Sequence, residues 1–171
     1  EISNGLAAAG ITLLDCPVIG GVISAETGTM GVLAAGPTPA FDRVKPMLDA
    51  CAGRVFYLGE KAGMGQVGKV VSNAVSYAAL YASFEAVAVG MKAGIDLETL
   101  VAIINQGSGA NFHTQKIFPN YIIPRKFAGT GAVEIGVKDV KFFLAEAKRL
   151  RDAASMRRAA SWGAVSRGMT A

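Results

Sequence analysis

The apolar residues of this chain change period partway along. Up to about residue 60 they come in short runs, ITLLD, TMGVLAA and RVFYL, separated by Gly- and Pro-rich punctuation. Such runs predict buried strands at Ile11–Asp15, Thr29–Ala35 and Arg54–Leu58. Helical spacing lies between them, at Ile2–Ala9 with Gly10 to close it, and at Phe41–Ala50 despite Pro46. Strands alternating with helices imply an α/β unit with a mostly parallel sheet.

Beyond Gly59–Gly65 the pattern is helical. Gly65–Ala93 predicts one long helix, stopped by Gly94, and Asp96 is placed to cap the next, Leu97–Asn105. Gln106–Asn111 reads as a loop. Phe112–Arg125, with Pro119 and Pro124, reads as short helices and turns. A loop at Gly129–Gly131 precedes helices at Val133–Leu150 and about Ala153–Arg167. The longest uncharged run of the middle region, Val70–Phe84, has fifteen residues, below the ~20 apolar residues that span a bilayer. A soluble protein with a very apolar central helix is expected, with no membrane partner.

Charge divides at the same boundary. Residues 1–60 carry three basic and six acidic side chains, and residues 61–171 carry fourteen and seven, so −3 and +7 make the net +4. An apolar share of 51% excludes a disordered chain. Two cysteines, Cys16 and Cys51, are too few for a disulfide scaffold and read as buried thiols in a reducing compartment. The first ten residues lack the basic and apolar regions of a signal peptide. The chain opens on Glu rather than Met, as a processed or truncated product does.

Candidate chemistry falls in three places. Asp15-Cys16-Pro17-Val18-Ile19-Gly20-Gly21 follows a predicted strand, and ligands of open α/β sheets bind beyond strand carboxyl ends. Paired glycines allow close backbone approach and aim N–H groups at an anion, which makes Gly20 and Gly21 a candidate carboxylate or phosphate cradle; an ordinary turn has the same composition. On the long helix the only charges from Gly68 to Met91 are Lys69 and Glu85, about 24 Å apart and unable to pair. A helix apolar nearly all round is expected to be buried, so Lys69 must reach a cleft, find an anion or lose its proton. The plain alternative is that it snorkels into solvent from the first turn. Asn73 shares its face one turn on, followed by Tyr77 and Tyr81. A partly desolvated lysine beside an amide is a candidate proton donor and acceptor. Gly63, Gly65 and Gly68 leave room at the helix start for another chain segment or a cofactor. The third place is Lys138-Asp139: Asp139 suits the first turn of its helix, and Lys138 either bonds something outside that helix or forms a solvated surface pair.

Other features carry less. His113 is the only histidine, which excludes a His-based triad or a multi-His metal site, and it reads as a polar loop residue. Gln106–Asn111 is a candidate substrate contact. The basic stretch Lys138–Arg167 is open to a nucleic-acid reading or to that of a solvated helix face. It lacks base-reading aromatics, so no nucleic acid is expected.

Taken together, DCPVIGG, the G-x-G-x-x-x-K-x-x-N pattern from Gly63 to Asn73, and Lys138-Asp139-Val140 match in order and spacing. The chain resembles the β-hydroxyacid dehydrogenases, the group of 3-hydroxyisobutyrate dehydrogenase and tartronate semialdehyde reductase. The resemblance implies an α/β remnant over 1–60, the C-terminal part of a Rossmann-like sheet. An all-helical substrate and oligomerisation domain with one long central helix follows over 61–171. It implies hydride transfer between NAD or NADP and a short 2- or 3-hydroxy acid, with Lys69 as general acid/base. Gly20, Gly21 and Asn73 would bind substrate and Lys138 would lie near the cofactor. It further implies that the nucleotide-binding half lies outside this chain, that copies associate through the long helix, and that the protein works in the cytoplasm or a mitochondrial matrix. Two positions depart from the family: Ile19 replaces a serine, and Ala110 replaces an arginine. They favour the competing reading, a non-catalytic helical dimerisation module derived from that family.

Overall fold

The computed structural model describes residues 2–126 and 133–151. The α/β part runs α1 (Ile2–Ala8), β1 (Val18–Ile19), α2 (Gly21–Glu26), β2 (Gly31–Ala34), α3 (Thr38–Cys51) and β3 (Arg54–Tyr57). The helical part runs α4 (Met64–Lys92), α5 (Leu97–Gln106), a π-helix (His113–Ile122) and α6 (Val133–Arg151). This is the expected class, a small sheet followed by helices around one long member. The predicted loop at Gly129–Gly131 and the last predicted helix, Ala153–Arg167, lie outside the described residues.

The three strands are ordered β1-β2-β3. β2 and β3 pair in parallel, with Val32 opposite Val55, and β1 pairs antiparallel to β2, with Ile19 opposite Gly31. The sheet is thus mixed, where a mostly parallel one was expected. ITLLD does not form a strand. Only Asp15 joins the ladder, exchanging 2.8 Å bonds in both directions with Ala35. Pro17 then contributes its carbonyl to Leu33 N at 2.9 Å, because proline has no N–H to give. The apolar run supplied the hydrophobicity of a strand, but residues 11–14 meet no partner strand among the described residues.

Every residue of β2 is buried, and Ala35, Ala40 and Phe41 extend that core beneath α3. A second core gathers Val87 of α4, Leu100 and Val101 of α5, and Phe118 of the π-helix. Short helices and turns were expected at 112–125; one π-helix forms instead. Its wider turns show in bonds reaching five residues back, Ile123 N to Phe118 O and Lys126 N to Tyr121 O, both 2.9 Å. Pro119 sits inside it, where a proline offers no donor to an α-helical ladder.

The expectation that α4 is buried all round is overturned. Only Gly65, Ser83 and Val87 are buried, while Val75 is 68% exposed and Val89 69%. β2, α5, α6 and the π-helix cover one side of α4; the described residues leave the other apolar side open. By length and composition alone α4 could cross a membrane, yet its polar residues Lys69, Asn73 and Ser76 bond other elements of the chain. The cysteines are also corrected: Cys51 is exposed at the end of α3 and Cys16 half-buried.

Candidate functional site

The start of α4 is held to the sheet by a carboxylate. Gly63, at φ 96, is the N-cap and has no side chain to cap with. Asp15 supplies the missing group from fifty-one residues away: Gln66 donates its backbone N–H at 3.0 Å and its side-chain amide at 2.8 Å. An anion at a helix N-terminus satisfies orphan N–H groups and the helix dipole together. Asp15 is only 9% exposed. It also helps burial push the Cys16 thiol up, so that thiol stays protonated.

That seating accounts for the glycines. A Cβ on Gly65 would stand 2.6 Å from Leu33 O and 2.8 Å from Asp15 Oδ2, and one on Gly68 would stand 3.2 Å from Leu58 Cδ1. Another chain segment therefore fills the room at 65 and 68. Gly63, Gly65 and Gly68 have the G-x-G-x-x-G spacing of a dinucleotide turn, after a strand and opening a helix. They do not fit a pyrophosphate, because the protein's own carboxylate and β2 backbone occupy the place of approach.

Four residues farther on, Lys69 donates from Nζ to Val18 O at 2.6 Å. The half-buried lysine finds no anion among the described residues, but bonds, in an exposed contact, the carbonyl two residues before the glycine pair. Gly20 is at φ 117 and Gly21 at φ 68. A Cβ on Gly20 would overlap Ser24 at 2.5 Å, whereas Gly21 has nothing within 4 Å and presents open backbone. Ile19 turns onto the sheet: its Cγ1 lies 2.7 Å from where a Cβ on Gly31, its cross-strand partner, would be. The missing side chain of Gly31 accommodates the bulk of Ile19.

Asn73 does not bond Lys69. Its Nδ2 donates to Asp139 Oδ2 at 2.7 Å, and Lys138 Nζ lies 3.1 Å from Asp139 Oδ1. The Lys138 side chain is 58% exposed and that of Asp139 11%, so this is not a wholly solvated pair. Asp139 stands in the second turn of α6, not the first as expected. Lys138 also lies 5.8 Å from the Phe142 ring centre and borders an open groove of about 450 Å³ on α6. The Tyr77 phenol is pushed up by burial first, then by Asp139 and Tyr81, with Lys138 opposing. The structure thus gathers the expected residues into two clusters one helical turn apart: Lys69 with the Gly20–Gly21 loop, and Asn73 with Asp139 and Lys138.

His113 is not a loop residue. It is 8% exposed, and its Nε2 lies 2.9 Å from Ser76 O and 3.0 Å from Ser76 Oγ. Burial lowers its pKa, and the bond to Ser76 opposes that shift. Asn111 ties the preceding loop down, donating to Ser83 Oγ and accepting from His113 N and Thr114 N. Sequence reasoning missed Asp15, Asp139 as the partner of Asn73, and this network. An acidic residue closing an apolar run was the available signal for Asp15. Among the described residues no cluster of His, Cys, Asp or Glu could hold a metal.

Residues 63–164 match the family described as "NAD-binding of NADP-dependent 3-hydroxyisobutyrate dehydrogenase". Residues 1–59 match the "NAD binding domain of 6-phosphogluconate dehydrogenase". The fold and these matches define a chain of the NAD(P)-linked dehydrogenase class. An L-threonate dehydrogenase of Escherichia coli O6:H1 is 33% identical over 153 residues, 88% of this chain and 49% of that protein. A 3-hydroxyisobutyrate dehydrogenase of Pseudomonas aeruginosa is 32% identical over 157 residues, 88% of this chain and 52% of its own length. The crystal structure of 3-hydroxyisobutyrate dehydrogenase from Salmonella typhimurium superposes with a TM-score of 0.79 at 32% identity, over 88% of this chain and 53% of that one. The chain belongs to the β-hydroxyacid dehydrogenase family, whose cofactor is NAD or NADP. It spans about half the length of the relatives it matches.

Proposed function

We propose that this chain carries the acid/base and substrate-binding part of an NAD(P)-dependent dehydrogenase acting on a short 2- or 3-hydroxy acid. Residues 1–60 would serve as the C-terminal part of the nucleotide-binding domain and 61–171 as the substrate and oligomerisation domain. The observation that carries the reading is the 2.6 Å bond from Lys69 Nζ to Val18 O, which ties the amine to the segment that leads into the Gly20–Gly21 turn. Relatives named for threonate and 3-hydroxyisobutyrate support the substrate class.

NAD or NADP, when bound, exchanges a hydride with the hydroxyl-bearing carbon. Lys69 as a neutral amine takes the hydroxyl proton during oxidation and, as an ammonium, returns it during reduction. In both states one N–H stays on Val18 O and fixes the group in place. A cation beside the reacting oxygen also stabilises alkoxide charge in the transition state. The backbone of Gly20 and Gly21 meets the substrate carboxylate. Asn73 orients the substrate one turn away, and Lys138, at the rim of the α6 groove, would lie near the cofactor. In the complete protein, with the nucleotide-binding half present, Lys69→Ala is expected to lower turnover of short hydroxy acids by about 10²–10⁴-fold, read from the absorbance of reduced nicotinamide. Undiminished turnover in a folded variant would end this reading.

A second reading, the non-catalytic helical dimerisation module, is favoured by apolar side chains uncovered on two helices. Phe142 and Leu144 of α6 are 56% and 60% exposed, and Val75 and Val89 of α4 are 68% and 69% exposed. Both readings predict self-association through α4. A dimer in sedimentation with no turnover even when the nucleotide-binding half is restored selects the second.

A further inference from the structure

We infer that Asn105 is a latch that holds residues 113–122 in π-helical rather than α-helical register, supplying the hydrogen-bond donor that Pro119 lacks. The inference concerns how α4 is braced and stands whether or not Lys69 acts as an acid/base.

An α-helix bonds each N–H four residues back and a π-helix five. Both reaches occur here in succession. Gln115 N still reaches back four, to Asn111 O at 3.0 Å, whereas Ile123 N reaches back five, to Phe118 O. Pro119 lies between them and has no N–H. It therefore leaves one carbonyl unserved in either register: Gln115 O in the α-helix, Thr114 O in the π-helix. The two positions are not equal. Gln115 is an exposed residue, and water can serve its carbonyl. Thr114 has no exposed surface, so a stranded carbonyl there carries the full cost of burial. By the segment's own bonds the α register is preferred, yet the π register is the one formed.

The difference comes from α5. Asn105, in its last turn, donates from Nδ2 to Thr114 O at 3.0 Å. A carbonyl only accepts, which fixes the amide with its nitrogen toward Thr114. The other end of the amide gains nothing, because Oδ1 is buried and meets no donor among the described residues. A buried amide with an unpaired oxygen is unfavourable unless its nitrogen offsets that cost, and the nitrogen is spent on Thr114 O. The register also decides the packing. It sets Phe118, fully buried against Phe84 of α4, relative to His113, whose Nε2 meets Ser76 of the same helix. The latch thus fixes how this segment braces the helix that carries Lys69 and Asn73.

The test is a double-mutant cycle, read by urea unfolding and by NMR couplings across hydrogen bonds. Asn105→Leu in the otherwise unaltered chain is expected to raise the unfolding constant about tenfold or more. In Pro119→Ala, residue 119 regains its N–H, and the same Asn105→Leu change is expected to move the constant less than about threefold. The register is read at Phe118, whose amide couples to the carbonyl of His113 in the π-helix and to that of Thr114 in the α-helix. In Asn105→Leu that coupling is expected to pass from His113 to Thr114. Should this variant not fold, Asn105→Leu combined with Pro119→Ala must fold for the inference to stand. Equal losses in the two backgrounds, failure of both to fold, or a Phe118 coupling that stays on His113 in Asn105→Leu overturns it.

Discussion

Gly65 is the tightest point between the sheet and the helices, and substituting it by alanine tests how α4 is seated. The added Cβ would lie 2.6 Å from Leu33 O, 2.8 Å from Asp15 Oδ2 and 2.8 Å from Pro17 Cδ. None of these is the loose end of a side chain: one is strand backbone, one a ring, and one a carboxylate held by two bonds to Gln66. Either the helix lifts from β2 or Asp15 leaves its place. Overpacking costs about 1–3 kcal/mol, and a lost charged hydrogen bond adds about 1.5–3 kcal/mol. Alanine's better helix propensity returns at most about 1 kcal/mol. The net expectation is a loss of about 2–4 kcal/mol, or about 5–15 °C in Tm for a chain of this size. Gly68→Ala is the control. Its Cβ would meet only the methyl ends of Leu58 and Leu33, at 3.2 and 3.3 Å, which can yield, so it should stay within about 1 kcal/mol of the unaltered protein. Urea unfolding followed by circular dichroism measures both. A Gly65→Ala protein as stable as its parent, or equal losses at the two positions, would show that Asp15 and β2 do not clamp the helix.

Other expectations concern the helical core and pH. His113 has its pKa lowered from an ordinary 6.5, chiefly by burial, and its Nδ1 is buried without a partner. The folded state therefore resists the proton that the unfolded chain accepts. Stability is complete above about pH 6.5 and declines as pH falls from there toward the lower folded value. Tm measured across that interval should fall less in His113→Leu than in the unaltered protein, and parallel curves would count against a titrating His113. Phe118, fully buried and packed on Phe84 at 5.1 Å between ring centres, should cost about 3–5 kcal/mol when cut to alanine. A loss below about 1 kcal/mol would mean that the second core repacks around the gap.

Periodicity revealed most elements because the forces that shape them are local. β2 and β3 read as short apolar runs, and the limits of α4 and α5 follow from Gly94 and the Asp96 cap, whose Oδ1 accepts from Thr99 N at 2.9 Å. The errors fall where distant residues decide. ITLLD has the composition of a strand, but a strand needs a neighbour, and composition does not supply one. A helix apolar all round suggested burial, yet coverage depends on what packs against each face. In the candidate site, Lys69 and Asn73 stood out as polar residues on an apolar helix. Their partners, Val18 O and Asp139, come from fifty-one and sixty-six residues away, and no local pattern connects them. A lone histidine beside a Gly-rich loop read as a polar loop residue because its burial against Ser76 depends on how the π-helix docks onto α4.

Lys69 and Asn73 are mounted on the same continuous α-helix, so their mutual offset is a constant of backbone geometry. Under the proposed function, substitutions in the glycine turn or in α6 would alter the molecules accepted without changing that offset. Diversification of specificity would then accumulate opposite the helix, while the shared shaft preserves the alignment of the two side chains.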